Sequence, residues 1–196
     1  MLKLFQYNWQ VRDDWFTLCE DIPDKELLKK RVGGFGSILH TLLHIVDVEY
    51  MWILGLRGEP VPEEPLFEVY ASLQKVKNLS AQYREKVKPF VTSWTNEMDS
   101  RKLSETDFNE EPISSRDAPI RCRVIECTHG EIIRHVIVHE IHHIGQLSIW
   151  AREIGKEPVS ANLRGRGLFD NQTAFANFTN GRDCGATQVE NDQTLF

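Results

Sequence analysis

Four of the seven histidines of this 196-residue chain, His135, His139, His142 and His143, fall within nine residues, with Glu140 among them. The segment reads as helix, and at about 100° per residue His139 and His143 lie nearly one above the other. Two imidazoles stacked in that way can grip one divalent metal ion. His135 and His142 fall within about a quarter-turn of the same arc, so spacing alone leaves the ligand set open. A further candidate stands far away in sequence. His44 shares the buried face of a second predicted helix with Thr41, Val48, Met51 and Trp52, all within about 80° of it, while His40 falls nearer the edge beside Asp47. A lone core histidine is ordinarily a packed, hydrogen-bonded side chain. The His139/His143 pair together with His44 instead offers three neutral nitrogens, a set that leaves a position open on zinc or a similar metal. That position can hold an acidified water, a thiolate or another substrate group.

The run His139-Glu140-Ile141-His142-His143 also spells H-E-x-x-H, which would make Glu140 the general base of a zinc hydrolase. Against this, no glycine and third histidine follow at metzincin spacing, no clear glutamate helix lies downstream, and no strand-rich domain precedes the motif. Glu140 points about 100° away from His139. It is a weak candidate for proton transfer, and its plainer role is a supporting or surface carboxylate.

The elements that must position these residues are all helical. Leu2, Phe5, Trp9, Phe16 and Cys19 recur near helical spacing over residues 2 to 20. Gly33, Gly34 and Gly36 form a turn ending at Ser37, a good N-cap; with no G-K-S/T after them and no apolar strand before, they are not a phosphate loop. The next helix runs from Ile38 to Leu56 and stops at Gly58, with Pro60 and Pro62 beyond. After a proline-rich connector, Glu59 to Pro65, a third helix is expected from Leu66 to about Met98, kinked or interrupted at Pro89. Asp99 to about Cys127 reads as a long crossing loop, with Ile120 to Ile125 a short extended piece. Thr128 and Glu131 match a capping box that opens the histidine helix, and Gly155 with Pro158 stops it. That helix carries apolar residues almost all the way round, as one buried on several sides does. The tail, Asn171 to Phe196, lacks periodicity and is expected to be disordered or loosely docked.

The chain is long enough for one well-buried core. Its 41% apolar and 27% charged residues suit a soluble globular protein rather than a disordered or membrane chain. A formal charge of −6 and the lack of a basic block argue against nucleic acid or anionic membrane as partner. No signal-peptide core is expected in Met1 to Glu20. Cys19, Cys122, Cys127 and Cys184 form no C-x-x-C and read as free thiols of a reducing cytoplasm.

Two stretches together resemble the DinB family of metal-binding helical bundles, relatives of the YfiT-type proteins. They are Gly36-Ser37-Ile38-Leu39-His40-Thr41-Leu42-Leu43-His44-Ile45-Val46-Asp47-Val48-Glu49-Tyr50-Met51-Trp52 and His135-Val136-Ile137-Val138-His139-Glu140-Ile141-His142-His143-Ile144-Gly145-Gln146-Leu147. The resemblance implies an all-α, up-and-down four-helix bundle over residues 1–160; residues 161–196 are expected to be a flexible C-terminal extension, whose part from Asn171 departs from the family. It implies a divalent metal, zinc or nickel, held by His44, His139 and His143, with His40, His135 and His142 at neighbouring non-ligand positions. Glu49, Trp52 and Gln146 match the motif without a role that the sequence supplies. A homodimer is implied as well.

Two functions of different class follow. Characterised relatives resemble metal-dependent transferases or isomerases that use low-molecular-weight thiols such as bacillithiol or mycothiol, so a small-molecule thiol and an electrophile are the expected partners. The alternative is a non-catalytic, metal-stapled stress-response bundle acting as a dimer, which a fourth protein ligand such as His135 or a tail residue would favour.

Overall fold

The computed structural model describes residues 1–103 and 127–169. Among these residues six helices form: α1 (Leu2–Glu20), α2 (Asp24–Leu27), α3 (Ile38–Leu56), α4 (Leu73–Thr92), α5 (Asn96–Ser100) and α6 (His129–Glu153). Among the described residues the only sheet pairing is an isolated antiparallel bridge, Lys102 to Thr128, so the all-α class expected from the sequence is what the chain adopts. The extended piece expected at Ile120 to Ile125, Cys122, Cys184 and the tail from Asn171 lie outside the described residues.

Local chemistry sets most of the helix ends. The Ser37 hydroxyl accepts from His40 N at 3.1 Å and starts α3. Thr128 and Glu131 form the capping box of α6, at 3.2 Å for Glu131 N to Thr128 Oγ1 and 2.7 Å for Thr128 N to Glu131 Oε2. Gly155, at φ 71°, follows the end of α6 in the left-handed region that favours glycine.

The third expected helix differs. Residues 66–70 make a turn, with Val69 N and Tyr70 N both donating to Leu66 O, and α4 begins only after Ser72. Pro89 does not interrupt it. The proline lies in the last turn on an exposed face, where water can take the place of the missing N–H, and Ser93 N closes on Pro89 O at 3.1 Å. A short α5 follows, capped by the Thr95 hydroxyl.

Four long helices make the bundle: α1 and α3 each pack on both α4 and α6. Direction alternates between α1 and α3, and again between α4 and α6. Between α3 and α4 it does not, because the connector 57–72 runs back along the bundle and the two helices lie parallel. Tyr50 stacks on Tyr83 at 3.8 Å and Arg57 reaches Lys86 O at 3.3 Å, while Asp13 pairs with Arg84 and Glu20 with Lys77 in the antiparallel sense. Residues 161–169 lie along α1: Tyr7 Oη donates to Ala161 O at 2.6 Å and Arg166 pairs with Asp14 at 3.0 Å.

The core has two apolar halves. One gathers Trp15, Leu39, Leu42, Val76, Ile144 and Leu147; the other gathers Phe5, Ile53, Val87, Val91, Ile133 and Val136. Between them lies a buried ionic layer fed by all four helices. Arg12 of α1, 0% exposed, donates from Nε and Nη2 to Glu140 of α6 at 2.9 and 2.6 Å and from Nη2 to Glu49 of α3 at 2.9 Å. Its Nη1 reaches Ser80 of α4 at 3.5 Å, and Trp9 Nε1 donates to Glu49 at 2.9 Å. Burial alone works against the Arg12 charge, but Glu140 and Glu49 outweigh it and hold the guanidinium protonated. Helix α3 is long and apolar enough by length and composition to cross a membrane, yet most of it is buried inside this bundle.

Candidate metal centre

Antiparallel packing of α3 on α6 carries His44 to the level where His139 and His143 sit one turn apart. His44 Nε2 and His143 Nε2 each lie 3.1 Å from His139 Nε2, and one ligand atom from each of the three residues falls within 4.8 Å of the others. His44 and His143 are 5% and 4% exposed. His139 is half-buried.

Ring-to-ring hydrogen bonds cannot account for this convergence. A ring nitrogen carries either one lone pair or one proton, so His139 Nε2 can satisfy one of its two neighbours and not both. An ion among the three nitrogens uses all three lone pairs at once. A tetrahedral zinc with bonds of about 2.0–2.1 Å sets its nitrogens about 3.3 Å apart, close to the spacing present. The rings are also held neutral. Burial first, and then the neighbouring histidines, push His44 down to about 2 and His139 down to about 3, so their lone pairs are free at neutral pH. The residues present fit a divalent metal.

Gln146, one turn beyond the pair on α6, sets the third ligand. Its Oε1 lies 2.9 Å from His143 Nδ1 and its Nε2 lies 3.0 Å from His142 Nε2. A carbonyl oxygen accepts only, so His143 carries its proton on Nδ1 and turns the Nε2 lone pair toward the other two histidines. The glycine turn presses on this carboxamide. A Cβ at Gly34, where φ is +50°, would lie 2.8 Å from Gln146 Oε1 and 2.8 Å from the Trp150 ring. Gln146→Leu is expected to weaken zinc binding about 10- to 100-fold with the helical content unchanged. Chelator competition reads this directly, and an affinity equal to that of the unaltered protein would remove Gln146 from the site.

Phe35, carried on the same turn, stacks on His44 with ring centroids 3.5 Å apart and meets His143 edge-on at 5.7 Å. His40 lies just outside, stacked on Phe67 at 4.2 Å. His135 and His142 are exposed; His135 packs its ring against Trp52 at 5.9 Å. Among the described residues the convergent group is therefore His44, His139 and His143, and the other three candidates stay outside it.

Glu140 goes elsewhere. Its carboxylate is 2% exposed and bound by Arg12 in the ionic layer, where burial raises its pKa and Arg12 opposes the rise. Glu49 shares that partner, which gives this motif residue a structural role. The sequence reading had no place for the Arg12 clamp, although an arginine on the apolar face of α1 beside Val11 and Trp15 is the signal that could have exposed it.

The fold and site define a helical bundle whose two facing helices bring three imidazoles to one point, where they could hold a metal ion. The sequence model of the DinB family matches residues 1–168. A Bacillus subtilis relative, the uncharacterized protein YizA, is 44% identical over 169 residues that cover 86% of this chain and 96% of YizA. The chain belongs to the DinB family.

Proposed function

We propose that this protein is a metal-dependent transferase that joins a low-molecular-weight thiol of the bacillithiol kind to an electrophile. The observation that carries the reading is the three-nitrogen donor set with no fourth protein ligand among the described residues, since structural sites are closed by four. When bound, a divalent ion supplies an open Lewis-acidic position that takes a thiol sulfur and lowers its pKa. The chain does the rest. His44, His139 and His143 hold the ion, Gln146 fixes the His143 tautomer, and Phe35 shields His44 with an apolar ring. Glu140, clamped by Arg12, serves the bundle rather than the reaction, which also weighs against the H-E-x-x-H hydrolase reading.

The same proposal takes zinc or nickel as the ion, because imidazole suits both, a homodimer as the working unit, and the cytoplasm as the compartment. Cys19 is a buried free thiol, in keeping with a reducing environment. The test is turnover by zinc- and nickel-loaded protein with a panel of bacillithiol, mycothiol and glutathione against a chromogenic aryl halide. Thiol-dependent product, lost in His139→Ala, is expected. A metal-loaded protein inert across the panel would sink the transferase reading.

A further inference from the structure

We propose that the cleft between the C-terminal half of α3 and the last turns of α4 is a second binding site, for a small organic anion: a carboxylate or phosphate carried on a flat apolar body. The inference goes beyond the thiol-transferase reading and does not depend on it.

The cleft holds about 780 Å³ and is lined by Tyr50 of α3, Arg57 and Glu59 of the connector, and Lys86, Pro89 and Phe90 of α4. None of the three converging histidines borders it. Its volume falls within the range of small-molecule sites, about 300–1,000 Å³, which pair apolar walls with a few convergent polar groups. Two cations and one carboxylate face it, and the carboxylate is taken: Glu59 pairs with Arg57 at 2.5 Å. Arg57 is held further by Nη1, which donates to Lys86 O at 3.3 Å. Lys86 is left as the cation with no carboxylate partner among the described residues. Although exposed, it is not a free-swinging side chain. Its Nζ lies over the stacked rings of Tyr50 and Tyr83, at 5.2 and 5.8 Å, and donates to Tyr50 Oη at 3.3 Å. An ammonium offers three protons, so two remain for a ligand, and a lysine already fixed in place loses less freedom when one binds.

Tyr50 supplies the second, independent pointer. The residue is 9% exposed, and its Oη accepts from Lys86, while its own hydroxyl proton meets no acceptor among the described residues. A donor left unused at a nearly buried site is costly, and an oxygen arriving in the cleft would take it. Tyr50 O–H and Lys86 N–H, on atoms 3.3 Å apart, can therefore serve the oxygens of one carboxylate or phosphate through charge-assisted bonds. The remaining polar group offers no competing donor, because Ser93 Oγ donates to Phe90 O at 3.0 Å. The rest of the wall is apolar and partly aromatic. Phe90 is half-buried and set edge-on against Trp94 at 5.7 Å; with Pro89 and the Tyr50 ring it suits a flat ring attached to the anion. A cationic ligand would meet Lys86 and Arg57 with like charge.

The experiment is isothermal titration calorimetry of the full-length, zinc-loaded protein with benzoate, phenyl phosphate and, as the neutral control, benzamide. Saturable binding of benzoate or phenyl phosphate at one site is expected, the tighter of the two telling carboxylate from phosphate, with benzamide at least about 10-fold weaker. Lys86→Met and Tyr50→Phe should each weaken the preferred anion about 10-fold or more, with zinc content and helical content unchanged. An open metal position can also take a carboxylate, so His143→Ala separates the two sites: binding kept in His143→Ala and lost in Lys86→Met places the anion in the cleft. Binding lost in His143→Ala, or kept at full strength in Lys86→Met, would overturn the assignment. So would benzamide binding as tightly as the anions, or no saturation by either anion below about 10 mM. The thiol-transferase reading is untouched by each of these results.

Discussion

Arg12→Met is expected to lower the stability of the bundle by about 3–5 kcal/mol. The guanidinium is the one described cation between two carboxylates that are each 2% exposed, and it joins α1 to α3, α4 and α6 at a single level. Methionine fills much of the same volume but leaves Glu49 and Glu140 facing each other out of water. They must then protonate or the layer must open. Since whole domains are stable by only about 5–15 kcal/mol, a large part of the folding free energy is at stake, and Tm should fall by about 10 °C or more. Urea denaturation of metal-free protein measures it. The companion Arg12→Met/Glu49→Leu/Glu140→Leu is expected to recover most of the loss, because replacing a whole buried ionic group by apolar side chains is often neutral. A loss below about 1 kcal/mol in the single variant would mean that water reaches the layer and the charges are not buried in solution.

His143→Ala is expected to reduce bound metal from near one equivalent per chain to less than about a tenth. The variant keeps His44 and His139, two nitrogens 3.1 Å apart, and two imidazoles alone do not hold zinc through desalting. Exposed His142 and His135 are the built-in controls. His142→Ala removes the contact with Gln146 Nε2 and ring packing on His143, and His135→Ala removes ring packing against Trp52 and His139, but neither removes a member of the convergent group, so both should stay loaded. Inductively coupled plasma mass spectrometry after loading with zinc or nickel decides the matter. An unaltered protein that takes up neither metal would return the three histidines to a packed core.

Much of the local structure was legible because its causes are local. Ser37, the Thr128/Glu131 box and Gly155 mark helix ends through bonds made within a few residues, and the His139/His143 pair needs only the helical repeat. Residues 66–72 misled because Leu66, Glu68 and Ala71 favour helix, yet the turn closed on Leu66 O ends at Tyr70 and α4 begins only after Ser72. Pro89 misled for the opposite reason: a proline breaks a helix interior, yet in an exposed last turn the lost donor is answered by water.

The sequence by itself determined the helices, the caps and the three histidines that could meet. It could not determine the company kept by each carboxylate. Glu49, Asp47 and Glu140 are equally plausible acids on apolar helices until α1 brings Arg12 between Glu49 and Glu140 and leaves Asp47 outside the pair. Nor could it show that α3 and α4 run parallel or that Phe35 lies over His44. These depend on how separate elements pack together and on which way a helix faces once packed, and the helical repeat carries no information about either.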